Sequence, residues 1–319
     1  MILSTMAILG GLLLLYAGGE SLVRGSSSLA LRLGMTPLVV GLTVVAFGTS
    51  APELVVSLRA ALQGSGDIAV GNAVGSNILN LAVVLGLTAV VAPIRVNPQV
   101  NRLEVPLMVG ASLLLVFFLR DGYLSRWEGA ALLSGLLLYI AFRLLWVGRR
   151  SSPALEDTFG ETLSAVPGGL PLAALLMVGG IGLLMGGARL LVWGAVRVAQ
   201  GLGISEAVIG LTVVALGTSL PELATSLLAA FRKQSAIAVG NIIGSNLFNI
   251  LGILGTASLT RPLVARGVTP VDLWMMAGTA ILAVPILRIG LRVSRIEGWL
   301  LLASYGGYLA WLAAAASPA

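Results

Sequence analysis

The sequence predicts an all-α membrane protein of ten transmembrane helices, built as two five-helix repeats of opposite orientation. Three observations carry that expectation. The 319 residues are 57% hydrophobic and only 10% charged, with a mean hydropathy of +1.01, whereas soluble domains carry about 25% charged residues. Apolar runs of spanning length, roughly 17–25 residues, recur along the whole chain. Finally, the chain aligns on itself without a gap at an offset of 169 residues, with 25 identities in 40 positions between 41–80 and 210–249. That is the mark of a duplication.

With charges, prolines and glycines as punctuation, the elements follow in order. The first run, from about Met6 to Leu33, has neither a basic leader region nor a small-residue cleavage site, so it reads as a retained span. Runs near 36–61, 67–93, 103–119 and 127–147 complete the first half. The second set falls near 170–200, 205–230, 236–258, 270–289 and 296–316. The chain thus divides into a first repeat over 1–147, a short cytoplasmic linker over 148–169 and a second repeat over 170–319. The linker, GRRSSPALEDTFGETLSAVPGG, is too short for a folded domain. The repeat register persists to the fifth span, where Glu128–Gly129 falls on Glu297–Gly298 and Tyr139 on Tyr308. Five is odd, so the second half enters the membrane upside down, the plan of many secondary transporters.

Orientation follows from the basic residues. With the N-terminus outside, twelve of the nineteen Lys and Arg residues lie on the inner side and seven on the outer. The expectation is a multi-pass plasma-membrane protein with both termini outside. The net charge of +6 is scattered between apolar runs, which suits topology in a lipid bilayer and gives no footprint for nucleic acid.

Cysteine and histidine are both absent. That removes disulfides, thiol and imidazole nucleophiles, the usual zinc sites and His proton relays. Yet Glu53 and Glu222 fall well inside apolar spans, where a charge costs about 2.5 kcal/mol or more on the insertion scale. Each ends a G-T-S-x-P-E stretch, 48–53 and 217–222. Pro52 has no N–H for the carbonyl of Gly48, nor Pro221 for that of Gly217. Each broken helix therefore offers a carboxylate, the hydroxyls of Thr49 and Ser50 or of Thr218 and Ser219, and backbone carbonyls. Those of Ala46, Phe47, Ala215 and Leu216 are further candidates.

The following span of each half adds GNAVGSNILN (71–80) and GNIIGSNLFN (240–249). Ser76 and Asn80 are one helical turn apart and share a face, as do Ser245 and Asn249. Asn72 and Asn241 lie on much the same stripe. All of these are hard oxygen donors, suited to Na⁺, Ca²⁺ or Mg²⁺ rather than a transition metal. Two carboxylates neutralise one Ca²⁺ or two Na⁺, so the ions can compete for one cage, with H⁺ as a further competitor.

Plainer readings apply elsewhere. The GxxxG pairs Gly71/Gly75 and Gly240/Gly244 point to close helix packing. Thr43 and Thr212 are expected to bond back to their own helices. Glu20 corresponds to Arg189 in the second half and suits an interfacial or packing role. GSGD at 64–67 resembles the GxGD of intramembrane aspartyl proteases, but its repeat mate carries Ala236 and no span offers a partner aspartate. For Glu53 and Glu222 a structural ion pair is a poor account, because no Lys or Arg lies at comparable depth in the proposed spans.

The paired G-T-S-x-P-E and G-S-N-x-x-N motifs on an inverted five-plus-five repeat resemble the α-repeats of the sodium/calcium exchanger family, within the cation/calcium antiporter superfamily. The resemblance covers essentially the whole chain. It implies ten helices, with the second, third, seventh and eighth around the ions, and the long first and sixth sliding to alternate access. It makes Glu53 and Glu222 the central ligands for Ca²⁺ and Na⁺, joined at Ca²⁺ by Thr49 and Thr218. Ser50, Ser76, Ser219 and Ser245, with the carbonyls of Ala46 and Ala215, would complete flanking Na⁺ sites, and Asn80 and Asn249 would line the middle.

Departures sharpen the expectation. The linker is far shorter than the regulatory calcium-binding loop of animal exchangers, so that regulation is expected to be missing. Potassium-dependent relatives usually carry Asp where this chain has Asn249, which argues against K⁺ co-transport. The G-N-x-x-E motif of proton/calcium exchangers is absent, since GNAVG and GNIIG carry Gly at the fifth position. The expected function is Na⁺/Ca²⁺ antiport by a single chain without a cofactor. A Ca²⁺/H⁺ antiporter on the same scaffold is the nearest alternative and a cation channel a distant one. An enzyme is the least expected class, since the spans hold no nucleophile–base set and no metal-ligand set beyond the oxygen cage.

Overall fold

The computed structural model describes residues 2–143, 145, 166–202 and 215–316. Most of the expected linker, Thr212 and the start of the expected seventh span lie outside the described residues. The first half runs α1 (Ile2–Leu33), α2 (Pro37–Thr49), α3 (Ala51–Gln63), α4 (Gly66–Val91), α5 (Val100–Asp121) and α6 (Arg126–Phe142). The second runs α7 (Gly169–Gly201), a short turn of helix Ala215–Thr218, α8 (Leu220–Phe231), α9 (Ser235–Thr260), α10 (Pro270–Arg288) and α11 (Arg295–Ala316).

Six described helices are long and apolar enough to cross a membrane, namely α1, α4, α5, α7, α9 and α10. The pair α2–α3, bent by 49°, brings the count to seven if taken as one span. Helices α6, α8 and α11 fall on the remaining expected spans.

Local chemistry explains the boundaries. Thr36 caps α2, its Oγ1 accepting from the N–H of Val39 at 3.3 Å, with Pro37 in the first turn. Glu128 and Glu297, aligned by the repeat, reach back to Ser125 and Ser294 as reciprocal caps of α6 and α11. Their acidity serves the helix starts.

The chain forms two compact units that do not follow the sequence halves. One holds Met1–Leu54 and Leu137–Ser245, the other Val55–Leu136 and Asn246–Ala319. Each takes segments from both repeats.

In the first unit, α1 lies along α7. A Cβ on Gly18 would sit 2.7 Å from the nitrogen of Leu184 and 2.8 Å from the carbonyl oxygen of Gly180. Gly11 meets Leu191 and Gly187 in the same way, and Gly25 meets Ala173 and Met177. As residue numbers rise along α1 they fall along α7, so the two helices are antiparallel. Because α7 is the repeat mate of α1, the duplication is inverted at this pair. Gly11 against Gly187 maps onto Gly180 against Gly18, which is two-fold symmetry.

The second unit has the same symmetry. β1 (Ile94–Arg95) pairs antiparallel with β4 (Arg292–Val293), and β2 (Tyr123–Leu124) with β3 (Leu263–Val264). The repeat offset converts one pair into the other. Gly86 against Gly298 and Gly129 against Gly255 repeat the relation on α4, α11, α6 and α9.

Candidate ion-binding site

The first unit holds both carboxylates. At the break after α2, the N–H of Ser50 bonds the carbonyl of Ala46 at 3.0 Å, and Pro52 stands in the first turn of α3. Glu53 follows in that same turn, where free N–H groups and the helix dipole favour a negative charge. Ser219, Pro221 and Glu222 repeat the arrangement at the start of α8. Both carboxylates are enclosed, with Glu53 at 1% and Glu222 at 0% exposure.

Hydroxyls and one amide tie the segments together. The Ser50 hydroxyl donates to Glu222 Oε1 at 2.9 Å. The Thr49 hydroxyl donates to Asn241 Oδ1 at 3.0 Å and lies 3.5 Å from the Ser245 hydroxyl. Asn241 Nδ2 donates to the hydroxyl of Ser226 at 3.0 Å and to the carbonyl of Glu222 at 3.4 Å. Thus the end of α2, the first turn of α8 and the first half of α9 converge on one cluster of oxygens.

Glycines permit it. A Cβ on Gly244 would sit 2.6 Å from the carbonyl oxygen of Leu42 and 2.7 Å from the Ala46 Cβ. The second GxxxG pair is therefore a packing device, as expected, and it brings Ser245 to the site, whereas the first is not, since a Cβ on Gly75 would meet nothing within 4 Å and one on Gly71 only the Val268 Cγ2 at 4.0 Å.

Of the other residues in this unit, Ser219 is buried, Thr218 is half-buried, and the carbonyl of Ala46 accepts from Ser50. The structure describes the backbone of Ala215 in its short turn. Thr43 bonds back to the carbonyl of Val39 at 2.6 Å.

The remaining expected residues belong to the second unit. Ser76 and Asn80 are buried on α4, and Asn249 on α9. Asn249 Nδ2 donates to Asn77 Oδ1 at 3.0 Å, and Asn77 Nδ2 to the carbonyl of Asn246 at 3.2 Å. Asn80 opens a π-helical turn, Asn80–Leu85, and Asn249 lies in another, Phe248–Leu254. Such turns recur at functional sites. Neither amide atom of Asn80 has a hydrogen-bond partner among the described residues, although the residue is 1% exposed. Leaving a buried amide so costs about 1–3 kcal/mol, so packing alone does not explain Asn80.

Several participants escaped the sequence reading. Ser57 and Ser226 accept from Asn72 and Asn241 at equivalent positions, and Asn77 anchors Asn249. Their signal was present, since Ser57/Ser226 and Asn77/Asn246 are identical in the two repeats. Burial itself does not single out the two glutamates. Glu104 and Arg143 are also enclosed, at 0% and 2% exposure, and both have interaction partners.

Glu20 and Asp67 each have partners outside this cluster. Glu20 forms ion pairs with Arg24 at 2.6 Å and with Arg232. Asp67 Oδ1 accepts from the N–H of Gly267 at 2.7 Å, a structural bond. Among the described residues no group of three or more His, Cys, Asp or Glu side chains is placed to hold a metal. The buried oxygens are thus mostly neutral, around few charges.

The sodium/calcium exchanger protein family profile matches residues 3–145 and 172–314, both halves of the chain. The chain belongs to the sodium/calcium exchanger family. This exchanger is 42% identical over 314 residues to CaxA of Alkalimonas amylolytica, named as an antiporter, covering 97% of this chain and 98% of that one. It is 38% identical over 266 residues to the inner membrane protein YrbG of Escherichia coli K12, covering 82% and 81%. Among solved structures it resembles the sodium-calcium exchanger NCX_Mj, at TM-score 0.83 and 33% identity, covering 98% of this chain and 99% of the other. The exchanger is an integral membrane protein and a cation/calcium antiporter, not an enzyme.

Proposed function

We propose that this exchanger moves Ca²⁺ against Na⁺ by alternating access, with Glu53 and Glu222 as the shared charged ligands near the membrane midplane. The observation that carries the reading is a pair of enclosed carboxylates, each in the first turn after a helix break, with Glu222 held by the Ser50 hydroxyl beside the linked Thr49, Asn241 and Ser245. Hard oxygens of this kind suit Ca²⁺ and Na⁺. Two negative charges balance one Ca²⁺ or two Na⁺, so either cargo neutralises the cage and permits a change of face. A third Na⁺ would make the cycle electrogenic.

Thr49 and Thr218 serve Ca²⁺ beside the glutamates. Ser50, Ser219, Ser76, Ser245 and the carbonyls of Ala46 and Ala215 serve Na⁺. The buried Asn80 and Asn249 are proposed ligands because the repeat gives both halves an amide there, and each has a buried amide oxygen without a hydrogen-bond partner among the described residues. Potassium-dependent relatives usually carry Asp where this chain has Asn249, so K⁺ is not a proposed cargo. The proposed form is ten spans in the plasma membrane, both termini outside, working as a single chain.

The test is ⁴⁵Ca²⁺ uptake into Na⁺-loaded proteoliposomes diluted into Na⁺-free buffer, with parallel vesicles carrying only a pH gradient. Uptake that requires internal Na⁺ and is lost in Glu53→Gln and Glu222→Gln is expected. Uptake driven by the pH gradient and indifferent to Na⁺ would assign the exchanger to Ca²⁺/H⁺ antiport.

A further inference from the structure

The second unit carries a groove of about 700 Å³ lined mostly by apolar side chains and by two arginines. Leu113, Phe117, Leu273 and Trp274 line it together with Arg120 and Arg266. The Arg120 guanidinium lies 4.4 Å from the centre of the Phe117 ring. The stem of Arg266 packs on the turn after Arg120, where Gly122 has φ +72° and a Cβ would come within 3.1 Å of the Arg266 Cγ. The turn is held by the bond from the N–H of Ala265 to the carbonyl of Gly122 at 2.8 Å and by the β2–β3 pairing. Neither guanidinium forms an ion pair among the described residues. The adjoining Asp121 carboxylate accepts from the N–H of Tyr123 at 3.0 Å.

The fold does not require these charges. The repeat mates of Arg120 and Arg266 are Ile289 and Asn97, and the two-fold symmetric turn forms without them. Among the residues that line the groove, two arginines and one aspartate leave a net charge of +1, the complement of a single phosphodiester. Guanidinium groups match phosphate oxygens geometrically. Trp274 also borders a second apolar groove of about 390 Å³ lined by Tyr308 and Trp311. Trp and Tyr gather at the level of membrane head groups.

We propose that this groove is a binding site for an anionic phospholipid. The phosphate sits between Arg120 and Arg266, and an acyl chain lies along Leu113, Phe117 and Leu273.

The experiment is native mass spectrometry of the full-length protein in detergent with equimolar phosphatidylglycerol and phosphatidylcholine. The wild type should prefer phosphatidylglycerol about tenfold, a difference of about 1.4 kcal/mol. An Arg120→Gln/Arg266→Gln variant should lose that preference, whereas Arg288→Gln/Arg295→Gln, with the same loss of net charge, should keep it. Equal binding of the two lipids by the wild type, or equal loss in both variants, would overturn the proposal. Should the first variant fail to fold, a photoactivatable phosphatidylglycerol on the wild type decides. Labelling within 113–122 or 265–274 supports the site, and labelling confined elsewhere refutes it.

Discussion

Replacing Gly18 with Ala tests the α1–α7 contact directly. The new Cβ would meet the Leu184 nitrogen at 2.7 Å and the Gly180 oxygen at 2.8 Å, where ordinary contacts begin at 3.4 Å. Both obstructing atoms are backbone, so no side chain can rotate away, and the helices have to part by several tenths of an ångström over adjoining turns. Overpacking of this kind costs about 1–3 kcal/mol. Alanine also favours helix over glycine by about 1 kcal/mol, which partly masks the cost. Gly179→Ala supplies the correction, because a Cβ there meets nothing within 4 Å and gains the propensity alone. The difference between the two variants is therefore about 1–3 kcal/mol, which in mid-sized domains moves the melting temperature by about 2–4 °C per kcal/mol. Thermal unfolding in detergent, followed by Trp fluorescence, should place Gly18→Ala below Gly179→Ala by at least about 2 °C. The two-fold relation adds that Gly180→Ala should behave like Gly18→Ala. Equal melting of Gly18→Ala and Gly179→Ala would refute the close contact.

Three further outcomes follow from the site. Glu53→Gln and Glu222→Gln should each abolish Na⁺-dependent ⁴⁵Ca²⁺ uptake while leaving the size-exclusion profile unchanged, because either halves the charge of the cage. Ser50→Ala removes the hydroxyl that donates to Glu222 at 2.9 Å. A hydrogen bond to a charged group is worth about 1.5–3 kcal/mol, so half-saturating Ca²⁺ in the uptake assay should rise about tenfold or more. Asn241→Leu removes the amide that accepts from the Thr49 hydroxyl and donates to the Ser226 hydroxyl, both buried. It should lower stability by about 1–3 kcal/mol, seen as reduced melting temperature without added Ca²⁺.

The duplication was legible because two copies of one sequence signal reinforce each other. A lone glutamate after Pro52 is an anomaly, whereas the same anomaly 169 residues later is a design. Hard-donor chemistry was legible for the same reason, with no Cys or His to compete. The division into units was not. Periodicity reports the face a helix buries, and the partner it is buried against lies far along the chain. The closeness of Gly18 to Gly180 becomes visible only when α1 and α7 are laid together. Asn241 was seen on the ion-facing stripe, but its bonds to Thr49 and Ser226 depend on how closely Gly240 and Gly244 let α9 approach α2. Glu104 and Arg143 fall near the ends of the runs proposed over 103–119 and 127–147, yet they are buried. Apolarity along a sequence does not measure enclosure by neighbouring helices.

The two breaks carry the same residues but not the same bonds. At the first, the Ser50 N–H reaches back four residues to Ala46, and its hydroxyl holds Glu222. At the second, the Ser219 N–H reaches back three residues to Leu216, a tighter turn, and its hydroxyl has no hydrogen-bond partner among the described residues. Sequence symmetry makes both arrangements available to both halves, and neither half can be intrinsically preferred by the G-T-S-x-P-E chemistry alone. On the proposed reading, alternating access requires the inverted halves to differ at any one moment and to exchange conformations between moments. The difference between Ser50 and Ser219 has that form. Exchanging the roles of the two serines would give the two-fold-related state, in which Ser219 holds Glu53. Cross-linking or spectroscopic labels on α2 and α8 should then report two conformers whose ratio changes when Na⁺ replaces Ca²⁺, and one conformer insensitive to either ion would contradict the exchange of roles.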